Sequence, residues 1–151
     1  MEAILFIGLP ASGKSSFYKE RLFGTHVRIS RDLLKTPHRC ERLLQLCLET
    51  DQRFVIDNTS PTASDRAPFI AAAHARKFRV EGYYFQSRIA DCLARNAQRT
   101  GDDRVAEAAI LTKGKQLELP RLAEGFDRLF YVRIDDGQFV VEEWQDEGVP
   151  K

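Results

Sequence analysis

The stretch from Ile4 to Ser15, Ile-Leu-Phe-Ile-Gly-Leu-Pro-Ala-Ser-Gly-Lys-Ser, constrains the fold more than any other. An apolar run ends at Gly8, and Gly13, Lys14 and Ser15 follow at the spacing of a phosphate-binding loop, Gly-x-x-x-x-Gly-Lys-Ser. The β-formers Ile4 to Ile7 read as a buried parallel strand. Gly8 and Gly13 are expected at positive φ, so that successive amides turn inward on one phosphate. Pro10, Ala11, Ser12 and Ser16 complete the expected cradle. Lys14 should reach the β and γ phosphates, and the Ser15 hydroxyl can ligate Mg²⁺. A helix should begin near Lys14, its positive end facing the anion. The alternative, a Gly-rich turn that binds nothing, has no need of this strand-loop-helix setting.

Strand and helix signals alternate along the rest of the chain. Lys14–Leu22 fits a helix closed by Gly24. His26–Ser30 is a short strand with Arg31 and Asp32 at its end, and Pro37 marks a break. Cys40–Glu49 carries a helical apolar stripe. Arg53–Asp57 is a strand, and Thr62 or Ser64 can cap a helix running to about Lys77. Phe78–Phe85 reads as a strand, Ser87 to about Arg99 as a helix, and Thr100–Arg104 as a polar, mobile connection. Val105–Leu117 is the last long helix, and Pro120–Asp127 is irregular. Leu129–Ile134 is a strand, and Asp135-Asp136-Gly137 turns the chain into the antiparallel strand Gln138–Trp144. The tail after Gln145 should fray. This pattern predicts an α/β fold of the P-loop kinase kind: a mostly parallel central sheet, helices on both faces and a C-terminal antiparallel hairpin strand. At 151 residues one domain is expected, with a lid at about 95–105.

Composition narrows the partners. A net charge of +1 argues against a strongly electrostatic, nonspecific nucleic-acid binder, so a polyanionic substrate must meet a local basic patch. No apolar run approaches the roughly 18 residues of a membrane span. The N-terminus enters the first strand directly, so no signal or transit peptide is expected. Cys40, Cys47 and Cys92 have no metal-binding spacing and read as reduced thiols of a cytoplasmic protein. Cys40 and Cys47, seven apart, can share a helix face as a redox pair.

On such a sheet, ligands bind beyond the carboxyl ends of the strands. That rim should present Gly8–Ser15, Ser30-Arg31-Asp32 and Asp57-Asn58-Thr59 together. Asp57 is placed for a carboxylate near Mg²⁺ or its waters, or else caps the next turn. Asp32 can accept the proton of an incoming hydroxyl, or can serve as N-cap for Leu33-Leu34. Arg95 and Arg99 share a helix face beside the polar connection, where with Arg104 they can form a lid that stabilises charge on a transferring phosphoryl group. Arg28, Arg31, Lys35, His38 and Arg39 cluster around Asp32, either to hold an acceptor phosphate or as soluble surface. The histidines show no ligand spacing, so no metal is expected beyond that of the nucleotide.

Several stretches together resemble the kinase domain of the polynucleotide 5′-hydroxyl kinases of phage and animal end repair. They are Gly-Leu-Pro-Ala-Ser-Gly-Lys-Ser-Ser (8–16), Ile-Ser-Arg-Asp (29–32), and Ile-Asp-Asn-Thr-Ser-Pro (56–61) with Arg66. Arg-Asn-Ala-Gln-Arg (95–99) and Lys-Gln-Leu-Glu-Leu-Pro-Arg-Leu-Ala-Glu-Gly-Phe (115–126) complete the set. The first motif is common to many kinases; the others are narrower. The resemblance implies ATP-dependent transfer of the γ-phosphate to a 5′-OH end of DNA or RNA. It makes Lys14 and Ser15 the phosphate and Mg²⁺ residues, Asp32 the general base, and Arg99 with Arg95 the lid arginines. It puts Asp57 near acceptor and metal. Independently of the resemblance, Arg31, Lys35 and Asn58 are expected beside Asp32 and Asp57 on the acceptor side. Ser30 stands where the family often has Asn. Ile134-Asp135-Asp136-Gly137-Gln138 lacks two residues of the family's phosphatase signature, so kinase activity without 3′-phosphatase activity is expected. No obligate protein partner is indicated. The competing readings are a small-metabolite kinase and a nucleotide-sensing module with little hydrolysis.

Overall fold

β1 (Glu2–Ile7) runs through the middle of the molecule and is buried on both sides. Its residues alternate between two cores: Ala3, Leu5 and Ile7 face one, Ile4 and Phe6 the other. This is why the run is apolar without a break, since a period-2 strand covered on both faces has no polar side. The computed structural model describes residues 1–146. After β1 come α1 (Lys14–Arg21), β2 (Val27–Ile29), α2 (Arg31–Leu34), α3 (Pro37–Glu49) and β3 (Phe54–Ile56). Then follow α4 (Ala63–Ala75), β4 (Arg79–Phe85), α5 (Ile89–Ala97), α6 (Glu107–Gln116), β5 (Arg128–Asp135) and β6 (Gln138–Glu143). The sheet order is β2-β3-β1-β4-β5-β6, parallel except for β6, which pairs antiparallel with β5. The mostly parallel α/β architecture with a C-terminal hairpin is as the sequence predicts.

The two faces are covered unequally. The larger core draws Leu44, Cys47 and Leu48 of α3, Ile70 and Ala73 of α4, Cys92 of α5 and Ile110 of α6. The smaller one is closed by Phe17 and Tyr18 of α1, with Phe139 and Val141 of β6 against it. Phe6, Phe17, Phe85 and Phe139 meet there edge to face, with centroids 4.9–5.9 Å apart. Each such pair adds about 0.5–1.5 kcal/mol to simple burial. Among the described residues no helix is long and apolar enough to cross a membrane.

Several local expectations change. Pro37 does follow a break after α2, but the next helix starts at Pro37 itself rather than at Cys40: it opens α3 behind the N-cap Thr36, at the position where a missing N–H costs no helix bond. Cys40 and Cys47 are both free. Asp32 is not an N-cap, because Ser30 takes that place and accepts the Leu33 amide at 3.3 Å. Thr62, not Ser64, caps α4, in a reciprocal pair with Asp65. Ser87 does not start α5, whose N-cap is Arg88. The connection after α5 contains a 3₁₀ turn, Gly101–Asp103, and its far end is pinned at Val105 by the Asn96 side chain. Residues 120–127 contain another 3₁₀ turn, Leu122–Glu124. Of the fraying tail, the part from 147 onward lies outside the described residues.

Candidate functional site

The phosphate loop is built by three different devices. Gly13 has φ +104°, and the second left-handed residue is Ala11 at φ +64°. Gly8 is not at positive φ. A Cβ on Gly8 would come within 2.7 Å of Ser12 Oγ and 3.0 Å of the Phe85 Cβ, so close packing selects glycine there. The third device is anchoring by neighbours. Gly8 N–H donates to the Thr59 carbonyl (3.1 Å), and Leu9 N–H to Ser87 Oγ (3.0 Å), which itself donates to the Phe85 carbonyl (2.7 Å). Arg95 Nη1 donates to the Ala11 carbonyl at 2.9 Å. From the other side, the Phe139 ring lies 3.1 Å from where a Cβ on Gly13 would sit, and Ile134 3.2 Å.

What the loop leaves unpaired defines its ligand. Among the described residues the amides of Gly13, Lys14, Ser15 and Ser16 have no intrachain acceptor. Ser12 Oγ is buried without a partner. The Lys14 ammonium donates to the carbonyls of Gly8 (3.0 Å) and Leu9 (2.9 Å). Burial pushes its pKa down to about 8, with Asp57 as the main opposing charge. Donors at a helix N-terminus around a desolvated ammonium fit a polyphosphate anion.

The loop opens into a cleft of about 1080 Å³. Pro10, Ala11, Lys14, Ser15 and Ser16 line it from the nucleotide side. Arg31, Asp32, Lys35, Asp57 and Asn58 line it from the β2 and β3 ends, and Arg99 closes it from beyond α5. Gly8, Ser12 and Gly13 shape the loop from behind. Arg95 does not join the cleft wall, because its guanidinium turns under the loop to Ala11. Arg99 stays at the wall, with Nη1 donating to the Asp103 carbonyl at 3.3 Å.

Asp32 is exposed on α2 and has no intrachain hydrogen bond among the described residues. Asn58 fixes α2: its Oδ1 accepts the Arg31 amide at 2.9 Å. Asp57 is buried and paired. Its Oδ2 accepts from Arg28 Nε at 2.7 Å and from Ser15 Oγ at 3.1 Å. Arg28 thus leaves the basic cluster expected around Asp32 and turns toward the loop. Arg31 and Arg39 instead donate to carbonyls of α2 and its end, Lys35 and Leu34. A divalent ion would find Ser15 Oγ and Asp57 here. Among the described residues there is no cluster of three or more His, Cys, Asp or Glu side chains able to hold one. Most of its ligands must then be phosphate oxygens and water, as is usual for Mg²⁺.

Sequence reasoning gave no role to Ser87, Asn96 or Glu124. Asn96 is buried and makes two hydrogen bonds to the backbone of Val105, at 2.8 and 3.0 Å. Glu124 holds the fully buried Arg66 through Nε (2.8 Å) and Nη2 (3.1 Å), while Arg66 Nη1 donates to the carbonyls of Ser60 and Glu118. The one available signal for Asn96 and Glu124 was their presence in the quoted motifs; Ser87 lies outside them.

Comparison with known proteins agrees with this geometry. The bifunctional polynucleotide phosphatase/kinase of Schizosaccharomyces pombe is 27% identical over 131 residues, covering 83% of this chain and 32% of that protein. A putative bifunctional polynucleotide phosphatase/kinase of Acanthamoeba polyphaga mimivirus is 29% identical over 135 residues, 85% of this chain and 32% of that protein. The transcription factor bHLH140 of Arabidopsis thaliana is 28% identical over 145 residues, 87% of this chain but 16% of its own length. The chain therefore spans about a third or less of the curated relatives it matches. Among solved structures, a gluconokinase from Sinorhizobium meliloti superposes with a TM-score of 0.63 at 20% identity, over 87% of this chain and 82% of that one. The family profile described as AAA domain matches residues 21–120, from the end of α1 to beyond α6. With well over half its length inside that match and a nucleotide loop at the head of the sheet, the chain belongs to the AAA-domain family and has the P-loop kinase fold.

Proposed function

We propose that this chain transfers the γ-phosphate of ATP to the 5′-OH end of DNA or RNA, with Mg²⁺ as cofactor. The observation that carries the reading is Asp32. It is an exposed carboxylate with no intrachain hydrogen-bond partner among the described residues, on the wall of the cleft that also holds Lys14 and Arg99. An alcohol attacking phosphorus must lose its proton, and a free carboxylate within reach is a suitable acceptor. As the new O–P bond forms, the bond from phosphorus to the β–γ bridging oxygen breaks and ADP leaves. The hydroxyl proton passes to Asp32. Lys14 and the loop amides hold the phosphates, Arg31 and Lys35 offer charge to the acceptor's own phosphate, and Arg99 meets charge on the transferring group. Ser15 and Asp57 would hold Mg²⁺, which would supply positive charge to offset that of the phosphates. The names of two curated relatives support the nucleic-acid acceptor.

The test is γ-phosphate transfer to matched DNA and RNA oligonucleotides with 5′-OH ends, alongside gluconate, sugars and nucleosides. Labelling of oligonucleotides alone is expected. Labelling confined to a small molecule would replace the acceptor. The second reading, a metabolite kinase, is favoured by the cleft's mixed charge, since Glu41, Asp65, Asp102 and Asp103 share its wall with the basic residues.

A further inference from the structure

Arg28 sits in β2, the strand that ends at the acceptor side, yet its side chain serves the nucleotide side. Nε donates to Asp57 Oδ2 at 2.7 Å and Nη2 donates to Ser15 Oγ at 3.0 Å. Ser15 Oγ donates to the same Asp57 oxygen at 3.1 Å, so three groups close a ring. The Asp57 side chain is 2% exposed and that of Arg28 24%. A buried carboxylate needs a counter-charge, and the guanidinium supplies it through two directed donors. Ser15 Oγ spends its proton on Asp57 and a lone pair on Arg28. Those are the hydroxyl and carboxylate that a divalent ion in this kind of loop approaches.

We propose that Arg28 is the resident cation of the Ser15–Asp57 pair, and that a divalent ion entering this place must displace its guanidinium. A small divalent ion requires a Ser15 lone pair at about 2.0–2.1 Å. Two cations cannot share that oxygen and the neighbouring carboxylate without strong repulsion. Metal entry is therefore an exchange of one positive group for another. In the metal-free protein the exchange partner neutralises Asp57 and holds the start of α1 against the β3 end. The proposal is independent of which acceptor receives the phosphoryl group.

The test uses nucleotide-free protein and Mn²⁺, read by electron paramagnetic resonance, with no turnover involved. Arg28→Met should bind Mn²⁺ roughly ten- to hundredfold more tightly than the parent, because two charged hydrogen bonds no longer have to break. Its thermal midpoint should rise with added Mg²⁺ while that of the parent barely moves. Combining Arg28→Met with Asp57→Asn should cancel the gain. Unchanged Mn²⁺ affinity in folded Arg28→Met overturns the proposal, as does a gain that survives Asp57→Asn. Should Arg28→Met fail to fold, Arg28→Lys carries the test. A lysine offers one donor point in place of the fork, so a several-fold gain is expected and none overturns the proposal.

Discussion

Two arginine–carboxylate pairs of the molecule behave in opposite ways. Arg66 and Glu124 form a closed network. Arg66 is fully buried, both its carboxylate contacts are direct, and two carbonyls take its remaining nitrogen. Glu124 also accepts the Arg121 amide at 2.9 Å. Nothing there is left for a ligand. Arg28 and Asp57 form an open network at the cleft, and the third member, Ser15, is itself a ligand-binding group. The first pair ties the turn before α4 to the segment after α6. The second holds together atoms that a ligand would take apart. A buried ion pair is thus architectural when its donors are all spent, and exchangeable when its partners lie on a cleft wall.

The contrast can be broken most severely at Asp32, on the open side. Asp32→Asn should lower single-turnover end-labelling by about 10²–10⁴, the usual value of a general base. Its stability should stay within about 0.5 kcal/mol of the parent, as for an exposed surface change. Calorimetry should give unchanged ADP affinity, and loss of ADP binding would instead assign Asp32 to the nucleotide. On the closed side, Arg66→Met should cost about 3 kcal/mol in urea unfolding, since the partly buried Glu124 loses its counter-charge and the Ser60 and Glu118 carbonyls lose their donor. Transfer per folded molecule should survive. A stable Arg66→Met protein would mean that the clasp is not architectural.

A smaller effect separates Arg95 of α5 from Arg99 just beyond its end. Arg99→Ala should slow turnover more than it weakens ADP binding, by less than the roughly 10³ of a sole arginine finger. Arg95→Ala should do the reverse, because its contact is with the Ala11 carbonyl of the loop. Equal kinetic signatures would erase the distinction. The mildest test is pH. The Lys14 pKa lies at about 8 in the free fold, below its ordinary 10.5. Above pH 8 the free protein loses the proton that a bound phosphate requires, so ADP affinity should fall by up to about tenfold per unit. Over the same window the unfolded chain holds more protons than the folded one. The Lys14 contribution to stability without nucleotide therefore rises with pH, the opposite sign. Calorimetry and thermal melts between pH 7 and 10 check both.

The sequence was a good guide wherever the cause is local. The loop spacing, the strand-helix alternation and the hairpin at Asp135-Asp136-Gly137 each follow from neighbours in the chain. Where two distant segments meet, the text of the chain was silent or misread. Gly8 is glycine because of close packing against Ser12 and against Phe85, 77 positions away, and not because of its own φ. Arg66 and Glu124 lie 58 apart, so no periodicity links them. The late Glu-Gly-Phe motif reads as a signature, yet all three of its residues are structural. Glu124 clasps Arg66, Gly125 has φ +115° against Ile70, and the Phe126 ring fills the space a Cβ on Gly82 would need. Arg28 belonged by spacing to the acceptor cluster; its reach across to Asp57 depends on the β2–β3 pairing.

The contact of Phe139 and Ile134 with Gly13 has a consequence for how the protein is made. A chain leaves the ribosome from its N-terminus, at about 5–20 residues per second. The phosphate loop emerges ahead of the side chains that back it, which follow more than 120 positions later. Until those side chains arrive, the nascent chain carries a recognisable loop that lacks its backing at Gly13. Nucleotide capture should then begin only once the hairpin clears the exit tunnel, so the loop is finished more than 120 positions after it is written.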